Sequence, residues 1–343
     1  MSRREFLQLA HTFNAEKHGV GGWYASEKLD GMRAYWDGGW TRGRLTSSVP
    51  FANTVKDYRR ISPPYSTGLW SRYAKPIAAP DWWLDELPDF PLDGELYLGP
   101  GKFQDLISIA KTFVNVDKDA WEEVEYRVFD LPPDYSFLAP GKINNPQWTA
   151  IFDDMRDLAP ARKYGVMNFH KVCRMIELGK IKLSGPAIWE TQVKLPMTTE
   201  TAMANVDIML NHFLSKGGEG VVLRKPESVW TPQRTWDLLK LKPWLDSEAL
   251  VTGYVWGKGK LEGLMGAMIV DWQGKTFELS GFTDGERTLL GVYEGGEKYK
   301  GPGTPVSINH YNPHFPKGST VSFRYRELTK DGIPKEARYW RKR

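Results

Sequence analysis

The sequence contains a single cysteine, Cys173, among its 343 residues. One thiol cannot form an internal disulfide or supply a cysteine-rich zinc site, which excludes the small disulfide-stabilised classes and the zinc-ribbon classes. A reducing compartment, the cytoplasm, is therefore the expected setting. The sequence also lacks any run of ~18 uninterrupted apolar residues, the length that spans a membrane as a helix. We expect no membrane-spanning segment and no membrane partner.

The N-terminus begins like an export signal but lacks the part that follows in such signals. Residues 2–7, Ser-Arg-Arg-Glu-Phe-Leu, resemble the start of a twin-arginine signal. An apolar stretch of ~7–15 residues should come next. His11, Asn14 and Glu16 interrupt that stretch. We therefore expect residues 2–12 to form a short amphipathic helix and the chain not to be exported.

Several common nucleotide-binding and metal-binding patterns are also missing. Residues 217–220, Gly-Gly-Glu-Gly, lack the Gly-Lys-Ser/Thr ending of a phosphate loop. No strand is followed by Gly-x-Gly-x-x-Gly and a helix, which excludes the dinucleotide-binding fingerprint. The six histidines do not have metal-ligand spacing, and no internal repeat is present. Any nucleotide chemistry must therefore use a different set of residues.

The net charge of +4 is small, but positive charge is concentrated at the C-terminus. Residues 317–343 contain nine Lys/Arg and three Asp/Glu, with Phe323, Tyr325, Tyr339 and Trp340 interleaved among the arginines. A basic segment of this kind suits a polyanion such as nucleic acid. On charge alone a solubilising tail is an equally good interpretation.

Lys28 is the most informative residue, because it lies in Glu27-Lys28-Leu29-Asp30-Gly31-Met32-Arg33. A lysine acts as a nucleophile only when neutral, and since an unperturbed lysine has a pKa of ~10.4, its site must favour the neutral amine. Positive charge from Lys240, Lys242 and a metal ion would do so. Asp30 is a candidate to orient the amine. Taken alone, Lys-x-Asp-Gly is more often a surface turn.

Two later glutamates complete a set of parts for chemistry at phosphorus. Glu95 follows Asp93-Gly94, a predicted turn within the predicted strand 91–98, and Glu219 precedes Gly220. Phosphoryl transfer relies on positioning and on neutralisation by Mg²⁺ and basic residues, and Mg²⁺ prefers oxygen ligands. For either glutamate taken alone, a solvated turn residue is the more ordinary interpretation.

Two arginines and one aromatic residue are candidates to bind the nucleotide. The planar guanidinium groups of Arg33 and Arg72 suit phosphate or ribose oxygens. Phe129, in the middle of a predicted strand, is a candidate to stack on a purine. The ordinary interpretations are surface ion pairs for the arginines and a core position for Phe129.

The pattern of elements predicts an α+β chain of two domains, residues 1–243 and 244–343. Short predicted strands before the boundary are interspersed with helices. Residues 148–180 are predicted to be largely helical, and Thr199–Ser215 is the clearest helix because its apolar residues recur on one face. After Pro243 and Asp246 the pattern changes to about five strands separated by glycine turns, which is typical of a small oligonucleotide-binding (OB) barrel. Lys28 is predicted to lie at a strand end or in a hairpin loop.

The motifs taken together resemble the ATP-dependent DNA ligases, and the minimal bacterial and phage enzymes above all. The resemblance covers roughly residues 22–343. It rests on the order of eight segments, namely Glu27–Arg33, Trp70–Arg72, Leu92–Glu95, Tyr126–Asp130, Glu219–Val222, Lys240–Pro243, Gly257–Gly263 and Tyr325–Pro334. It implies a nucleotidyltransferase (adenylation) domain of antiparallel sheets with flanking helices, followed by an OB-fold domain.

The resemblance also implies the reaction and the role of each residue. ATP and Mg²⁺, with Mn²⁺ as a substitute, are the implied cofactors, and a nicked DNA duplex bound by a monomer is the implied substrate. Lys28 would take AMP from ATP and pass it to the 5′-phosphate of the nick. The other implied roles are adenine binding by Glu27 and Phe129, ribose or phosphate contacts by Arg33 and Arg72, ribose or metal binding by Glu95, metal binding by Glu219, α-phosphate neutralisation by Lys240 and Lys242, and a pivot at Asp246.

The sequence departs from the minimal enzymes in two insertions and at its C-terminus. Residues 38–69 form a longer segment than expected, which leaves open whether Arg42 and Arg44 contact DNA or belong to a solvated loop. Residues 285–316 are also long for a small barrel. A clear terminal Arg-x-Asp-Lys motif is missing. Arg338 and Arg341 are candidates to replace it, and they are grouped with the barrel lysines Lys258 and Lys260 as candidate DNA contacts.

Two other functions share features with this interpretation. An RNA ligase or an mRNA-capping enzyme would use the same fold and the same lysine, although the barrel sequence argues against both. A non-catalytic nucleic-acid-binding relative is the other alternative. Such a protein would not need five of these residues intact, namely Lys28, Glu95, Glu219, Lys240 and Lys242.

Overall fold

The structure is a computed structural model, and the chain divides into two compact units, Met1–Leu241 and Lys242–Arg343. None of the helices it describes is long and apolar enough to cross a membrane. The residues that the structure describes are 7–49, 51–53, 65–113, 116–132, 166–291, 303–306, 310–329 and 331–342.

In the part of the first unit that the structure describes, ten strands are combined with four α-helices. Its strands are β1 (Leu9–Thr12), β2 (Tyr24–Lys28), β3 (Met32–Asp37), β4 (Leu69–Ser71), β5 (Pro91–Tyr97), β6 (Glu125–Asp130), β7 (Ala187–Trp189), β8 (Val193–Lys194), β9 (Gly220–Arg224) and β10 (Arg234–Leu241). Its helices are α1 (Asp81–Asp85), α2 (Phe103–Ala110), α3 (Phe169–Glu177) and α4 (Thr199–Ser215).

The ten strands form two five-stranded sheets. The first sheet has the order β1-β10-β9-β2-β8, and the second has the order β4-β3-β5-β6-β7. Most neighbours are antiparallel, as expected, but β1 runs parallel to β10 and β6 runs parallel to β7. The α+β class predicted from the sequence is confirmed.

Each sheet of the first unit buries one face under helices. In the first sheet, Ala202 and Val206 of α4 pack on Ala25 of β2 and on Val221 and Leu223 of β9. Helices α1 and α2 cover the second sheet, with a core that includes Trp83, Leu84, Leu106, Leu92, Tyr126 and Val128. On the opposite face of the first sheet, Tyr24 packs with Phe169 and Cys173 of α3, whereas the opposite face of the second sheet carries polar side chains such as Arg33 and Glu95.

The short link from Lys28 to Met32 passes from one sheet to the other. Strand β2 belongs to the first sheet and β3 to the second, so the two strands do not form a hairpin. The predicted strand end at Lys28 is confirmed, and the alternative hairpin is wrong. Gly31 makes the close passage possible, because a Cβ placed there would lie 2.3 Å from the carbonyl oxygen of Leu96.

The second unit is built around one five-stranded sheet of the order β13-β12-β11-β16-β19. Ser280, next to β13, forms an isolated bridge with Arg338 of β19. One face of the sheet is buried by apolar side chains such as Tyr254, Met268, Phe315 and Phe323. The strands of this unit are β11 (Leu245–Trp256), β12 (Met265–Trp272), β13 (Lys275–Leu279), β14 (Leu290–Gly291), β15 (His310–Tyr311), β16 (Thr320–Tyr325), β17 (Glu327–Leu328), β18 (Pro334–Lys335) and β19 (Arg338–Lys342).

Two local predictions from the sequence are wrong. Leu9–Thr12 is a strand instead of part of a helix, because its backbone pairs with β10. The predicted Asp93-Gly94 turn is absent, and β5 continues through these residues with only a register shift against β6. The helix predicted within 148–180 is observed as α3, and residues 148–165 lie outside the described residues.

A buried carboxyl at the end of β3 makes stability depend on pH. Asp37 is fully buried, and it accepts hydrogen bonds from Thr41 Oγ1 at 2.5 Å and from Trp70 Nε1 at 3.0 Å. Burial raises the pKa of Asp37 from 3.8 to about 6, although these hydrogen bonds partly oppose the rise. Between those values the folded chain holds a proton that the unfolded chain has lost, so stability falls as pH rises through this window.

We predict that Asp37→Asn removes this pH dependence. The free energy of unfolding of the wild type, relative to that of the variant, should fall by up to about 3 kcal/mol between pH 3.5 and pH 7. Urea unfolding at several pH values measures the difference. Asp89→Asn, which removes an exposed carboxylate, is the control. A wild-type-minus-variant difference that stays constant with pH would refute the prediction.

Candidate functional site

Lys28 and Glu219 meet where two neighbouring strands of the first sheet end. Lys28 pairs with Gly220 in the β2–β9 ladder, so Glu219 lies one residue before the paired position. The Lys28 ammonium forms an ion pair with Glu219 Oε2 and also donates to the carbonyl oxygen of Leu29 at 3.4 Å. Both side chains are mostly buried, with 20% and 14% exposed. The predicted nucleophile and one predicted acid are thus in contact.

Glu95 brings the second sheet to the same place. It lies between Arg33 and Arg127 in a row across β3, β5 and β6. Burial raises its pKa, the positive charges of Lys28 and Arg33 act in the opposite direction, and the carboxylate of Asp30 adds to the rise. The two predicted acids, Glu95 and Glu219, therefore both lie near the amine of Lys28.

Arg33 is held within the second sheet by a carboxylate that sequence reasoning read as a turn residue. Its Nε and Nη2 donate to the two oxygens of Asp93, both at 2.7 Å. Asp93 is fully buried and also accepts from Trp230 Nε1 at 2.7 Å. The Arg33 guanidinium thus already donates two hydrogen bonds to the carboxylate of Asp93. Its predicted contact with ribose or phosphate stays a prediction.

Phe129 faces away from the core of the second sheet. Along β6 the residues alternate, with Tyr126 and Val128 buried and Arg127 and Phe129 half-buried. The Arg33 guanidinium carbon lies 4.4 Å from the centroid of the Phe129 ring. An aromatic ring braced in this way is suitable for stacking, and its role toward adenine stays a prediction.

Glu27 belongs to a second charged group that the sequence did not reveal. Burial raises the pKa of Glu27, and Arg127 opposes the rise more strongly than Lys216 or His212. Arg127 is itself paired with the buried Glu190 at 2.8 Å. Arg127 and Glu190 were missed because the chain segments that carry them look like ordinary strand sequence. Only their cross-strand neighbours show that they adjoin the site.

The three basic residues predicted to contact the nucleotide, Lys240, Lys242 and Arg72, lie in different parts of the fold. Lys240 lies on β10 in register with Val222, which is in register with Ser26 of β2. Two strand spacings, ~10 Å, thus separate its backbone from β2. Lys242 follows β10 and begins the second unit. Arg72 follows β4, with its guanidinium carbon 5.6 Å from the Tyr73 ring.

The candidate DNA contacts in the first unit are engaged in local interactions. Arg42 forms ion pairs with Asp81 at 2.7 Å and with Asp85 at 2.5 Å, both of which belong to α1. Arg44 donates from Nε to the carbonyl oxygen of Trp40 at 3.1 Å. A role for either residue in binding DNA stays a prediction.

The candidate residues of the second unit lie on its surface. Lys258, Lys260, Arg338 and Arg341 are all exposed. Asp246, the predicted pivot, is exposed and lies inside β11, where it pairs with Arg324 of β16. A residue in a ladder has less backbone freedom than a loop residue, and the pivot role of Asp246 stays a prediction.

The carboxylates fit a magnesium ion that is shared with a substrate. Across the described parts of the chain, no group of three or more His, Cys, Asp or Glu side chains forms a ready metal site. Mg²⁺ is commonly held by only one or two protein carboxylates together with substrate phosphates. Glu95 and Glu219, which both lie near Lys28, match that arrangement.

Comparison with known proteins points to one group of enzymes. Residues 256–343 match the family model described as DNA ligase OB-like domain. A DNA ligase of Haemophilus influenzae is 26% identical over 339 residues, which is 98% of this chain and 92% of that protein. A solved structure of a Lig E DNA ligase covers 99% of this chain and 100% of its own, at a TM-score of 0.63 and 24% identity.

A shorter match is found to a DNA ligase of Methanothrix thermoacetophila. It is 41% identical over 64 residues, which is 18% of this chain and 12% of that protein. The likeness to the Lig E structure shows that the two chains share a fold across nearly their whole length.

We predict that Gly31→Ala destabilises the first unit. The added Cβ would lie 2.7 Å from Glu95 Cγ in addition to its clash with Leu96, so β5 must shift. Overpacking of this kind costs about 1–3 kcal/mol, and urea unfolding measures it. Gly285→Ala, where a Cβ meets nothing within 4 Å, is the control. Equal stability of the two variants would contradict the prediction.

Proposed function

We infer that this chain belongs to the ATP-dependent DNA ligases and seals 5′-phosphate/3′-hydroxyl nicks in duplex DNA. The full-length similarity to a named DNA ligase supports the family, and the match of residues 256–343 to a DNA ligase OB-like domain supports the second unit. We propose residues 1–243 as the adenylation domain and 244–343 as the OB-fold domain.

One observation carries the proposed mechanism. The amine of Lys28 is in contact with Glu219, and Glu95 of the other sheet lies close enough for its charge to respond to that amine. The carboxylates fix the position of the amine at a strand end but favour its charged form, so positive charge from Lys240, Lys242 and a bound Mg²⁺ would favour the neutral amine that attacks phosphorus. We assign the nucleophile to Lys28 on this basis.

In the first step the Nζ of Lys28 attacks the α-phosphorus of ATP. The bond from that phosphorus to the bridging oxygen breaks, pyrophosphate leaves with the electron pair, and the amine loses a proton. Glu219 Oε2 accepts the hydrogen bond of the amine and is therefore in position to hold that proton. Lys240 and Lys242 neutralise charge on the α-phosphate, while Glu27 and Phe129 bind the adenine.

In the second and third steps the AMP moves to DNA and then leaves. An oxygen of the 5′-phosphate attacks the phosphorus of AMP-lysine, and the Lys28 nitrogen departs as the P–N bond breaks. The 3′-hydroxyl loses its proton to solvent as it attacks the phosphorus of the DNA 5′-phosphate, the phosphodiester bond forms, and AMP leaves with the electron pair of the broken phosphoanhydride bond. Arg33 and Arg72 are proposed to hold phosphate or ribose oxygens, and Asp246 is the proposed pivot between steps.

The proposed cofactors are ATP and Mg²⁺, with Mn²⁺ as a substitute. A bound Mg²⁺ would supply positive charge that stabilises the phosphate oxygens in the transition state. Glu95 and Glu219 would hold it together with phosphate oxygens. We propose a monomer that acts in the cytoplasm, where ATP and DNA are both available.

We predict that Lys28→Ala abolishes the covalent AMP adduct while the fold persists. Intact-protein mass spectrometry after incubation with ATP and Mg²⁺ should find one AMP on the wild type and none on the variant. Lys225→Ala, which removes a half-exposed lysine paired only at 3.8 Å with Asp237, is the matched control and should still form the adduct. Covalent AMP on the Lys28→Ala protein would assign the nucleophile elsewhere.

We further predict selectivity for ATP and for DNA. Labelled ATP should transfer its AMP to the protein and then seal a nicked DNA duplex, whereas labelled GTP should not label the protein. A nicked RNA duplex of the same sequence should be sealed poorly. Labelling by GTP would favour a capping enzyme, and preferential sealing of RNA would favour an RNA ligase. A protein that is labelled by neither nucleotide would be a binding-only relative.

A further inference from the structure

A cluster of positive charge lies on the outward face of the second unit's sheet. It consists of Arg324, Arg338, Trp340 and Arg341, and we call it the Arg–Trp surface. Arg324 alternates along β16 with Phe323 and Tyr325, whose side chains are buried in the core. Arg338 is the direct cross-strand partner of Arg324 on β19, so both side chains leave the sheet on the same side.

A β-bulge in β19 creates the central feature of this surface. Phe323 pairs with Tyr339 and Ser322 pairs with Arg341, so Trp340 is the extra residue. A bulge of this kind re-aims the side chain that it carries. The guanidinium carbon of Arg324 lies 3.5 Å from the Trp340 ring centroid, and that of Arg341 lies 4.2 Å from it. One indole therefore braces two cations.

In the described parts of the chain, the arginines of this surface are not ion-paired with carboxylates. Among the residues that the structure describes, no acidic side chain forms an ion pair with Arg324, Arg338 or Arg341. Asp246 is the register partner of Arg324 on β11, yet it too forms no ion pair with it. Arg324 and Arg338 are like charges directly opposite one another in the sheet, an arrangement that is destabilising without a bound anion. A braced, unpaired group of cations suits an external polyanion.

The geometry favours phosphate groups over bases as the ligand. Stacked guanidiniums occupy the indole of Trp340, which is only 37% exposed, so the ring offers little surface for a base. A stacked guanidinium still presents its N–H edge outward, where it can donate to phosphate oxygens. Phosphate contacts of this kind position a protein on duplex DNA without reading its sequence.

We propose that Trp340 is a positioning residue that holds Arg324 and Arg341 against backbone phosphates of the DNA duplex. This inference rests on the proposed function, since it concerns the same substrate. It adds Arg324, which the sequence analysis did not select, and it assigns Trp340 a role through the two arginines instead of a direct contact. Bracing lowers the ordering entropy that two long flexible side chains would otherwise lose on binding.

The test compares Trp340→Ala with Trp340→Phe, Arg324→Gln and Arg341→Gln in the full chain. Fluorescence anisotropy with a nicked DNA duplex at several salt concentrations gives Kd and its salt slope. We expect Trp340→Ala to raise Kd about fivefold and Trp340→Phe to restore most of the affinity. Each arginine variant should reduce the salt slope by about 1.

Nick-sealing kinetics and a double-mutant cycle separate positioning from a general structural role. In Trp340→Ala, KM for nicked DNA should rise while kcat and AMP-adduct formation stay unchanged. Combining Trp340→Ala with Arg324→Gln should weaken binding less than the two single effects together predict, because the residues act as a unit. Trp236→Ala, which removes an exposed tryptophan of the first unit, is the matched control and should bind DNA like the wild type.

Different results would overturn the inference or the function on which it rests. Wild-type affinity in Trp340→Ala, strictly additive effects in the cycle, or a larger loss for single-stranded than for duplex DNA would each overturn the positioning role. If Trp340→Ala does not fold, unchanged salt slopes in the two arginine variants would overturn it instead. A wild type that forms no AMP adduct and seals no nick would refute the proposed function itself.

Discussion

The ion pair between Lys28 and Glu219 is the contact on which the candidate site depends. It forms because β2 and β9 are antiparallel neighbours and the two residues lie at the same end of that ladder. The link that follows Lys28 then crosses to the second sheet, with Gly31 pressed against β5 next to Glu95. A chain that instead turned back as a hairpin would keep Lys28 away from Glu95. The proposed chemistry therefore depends on one short crossing between sheets.

Buried pairs of opposite charge connect the sheets that carry this site. Asp130 of β6 forms an ion pair with Arg224 of β9, and both side chains are almost fully buried. Asp93 binds Arg33 within the second sheet and Trp230 beyond it. Breaking such a pair leaves an uncompensated buried charge, which is strongly destabilising. These contacts hold the strands in one arrangement, and a catalytic group must be held closely to act on a reacting atom.

In contrast to these buried ion pairs, the second unit has positively charged side chains that are exposed. Its arginines at the Arg–Trp surface face outward and are braced by an aromatic ring instead of by carboxylates. Cations that are fixed in place but left unpaired keep their donors available for a ligand, whereas Arg33 and Arg224 in the first unit are paired with buried carboxylates. Arginine thus has a different use in each unit. In the first unit it stabilises the fold through buried ion pairs, and in the second unit it is left available to bind a polyanion.

The sequence by itself determined the α4 boundaries and the choice of Lys28, Glu95 and Glu219 as candidates, because helix periodicity and short motifs are local properties. Only the tertiary structure decided that Leu9–Thr12 is a strand, that Asp93 is a buried partner of Arg33, and that Arg127 and Arg324 adjoin the candidate surfaces. Those facts arise from strand pairing between distant segments and from a β-bulge. Pairing register is a relation between two parts of the chain, and one part alone does not contain it.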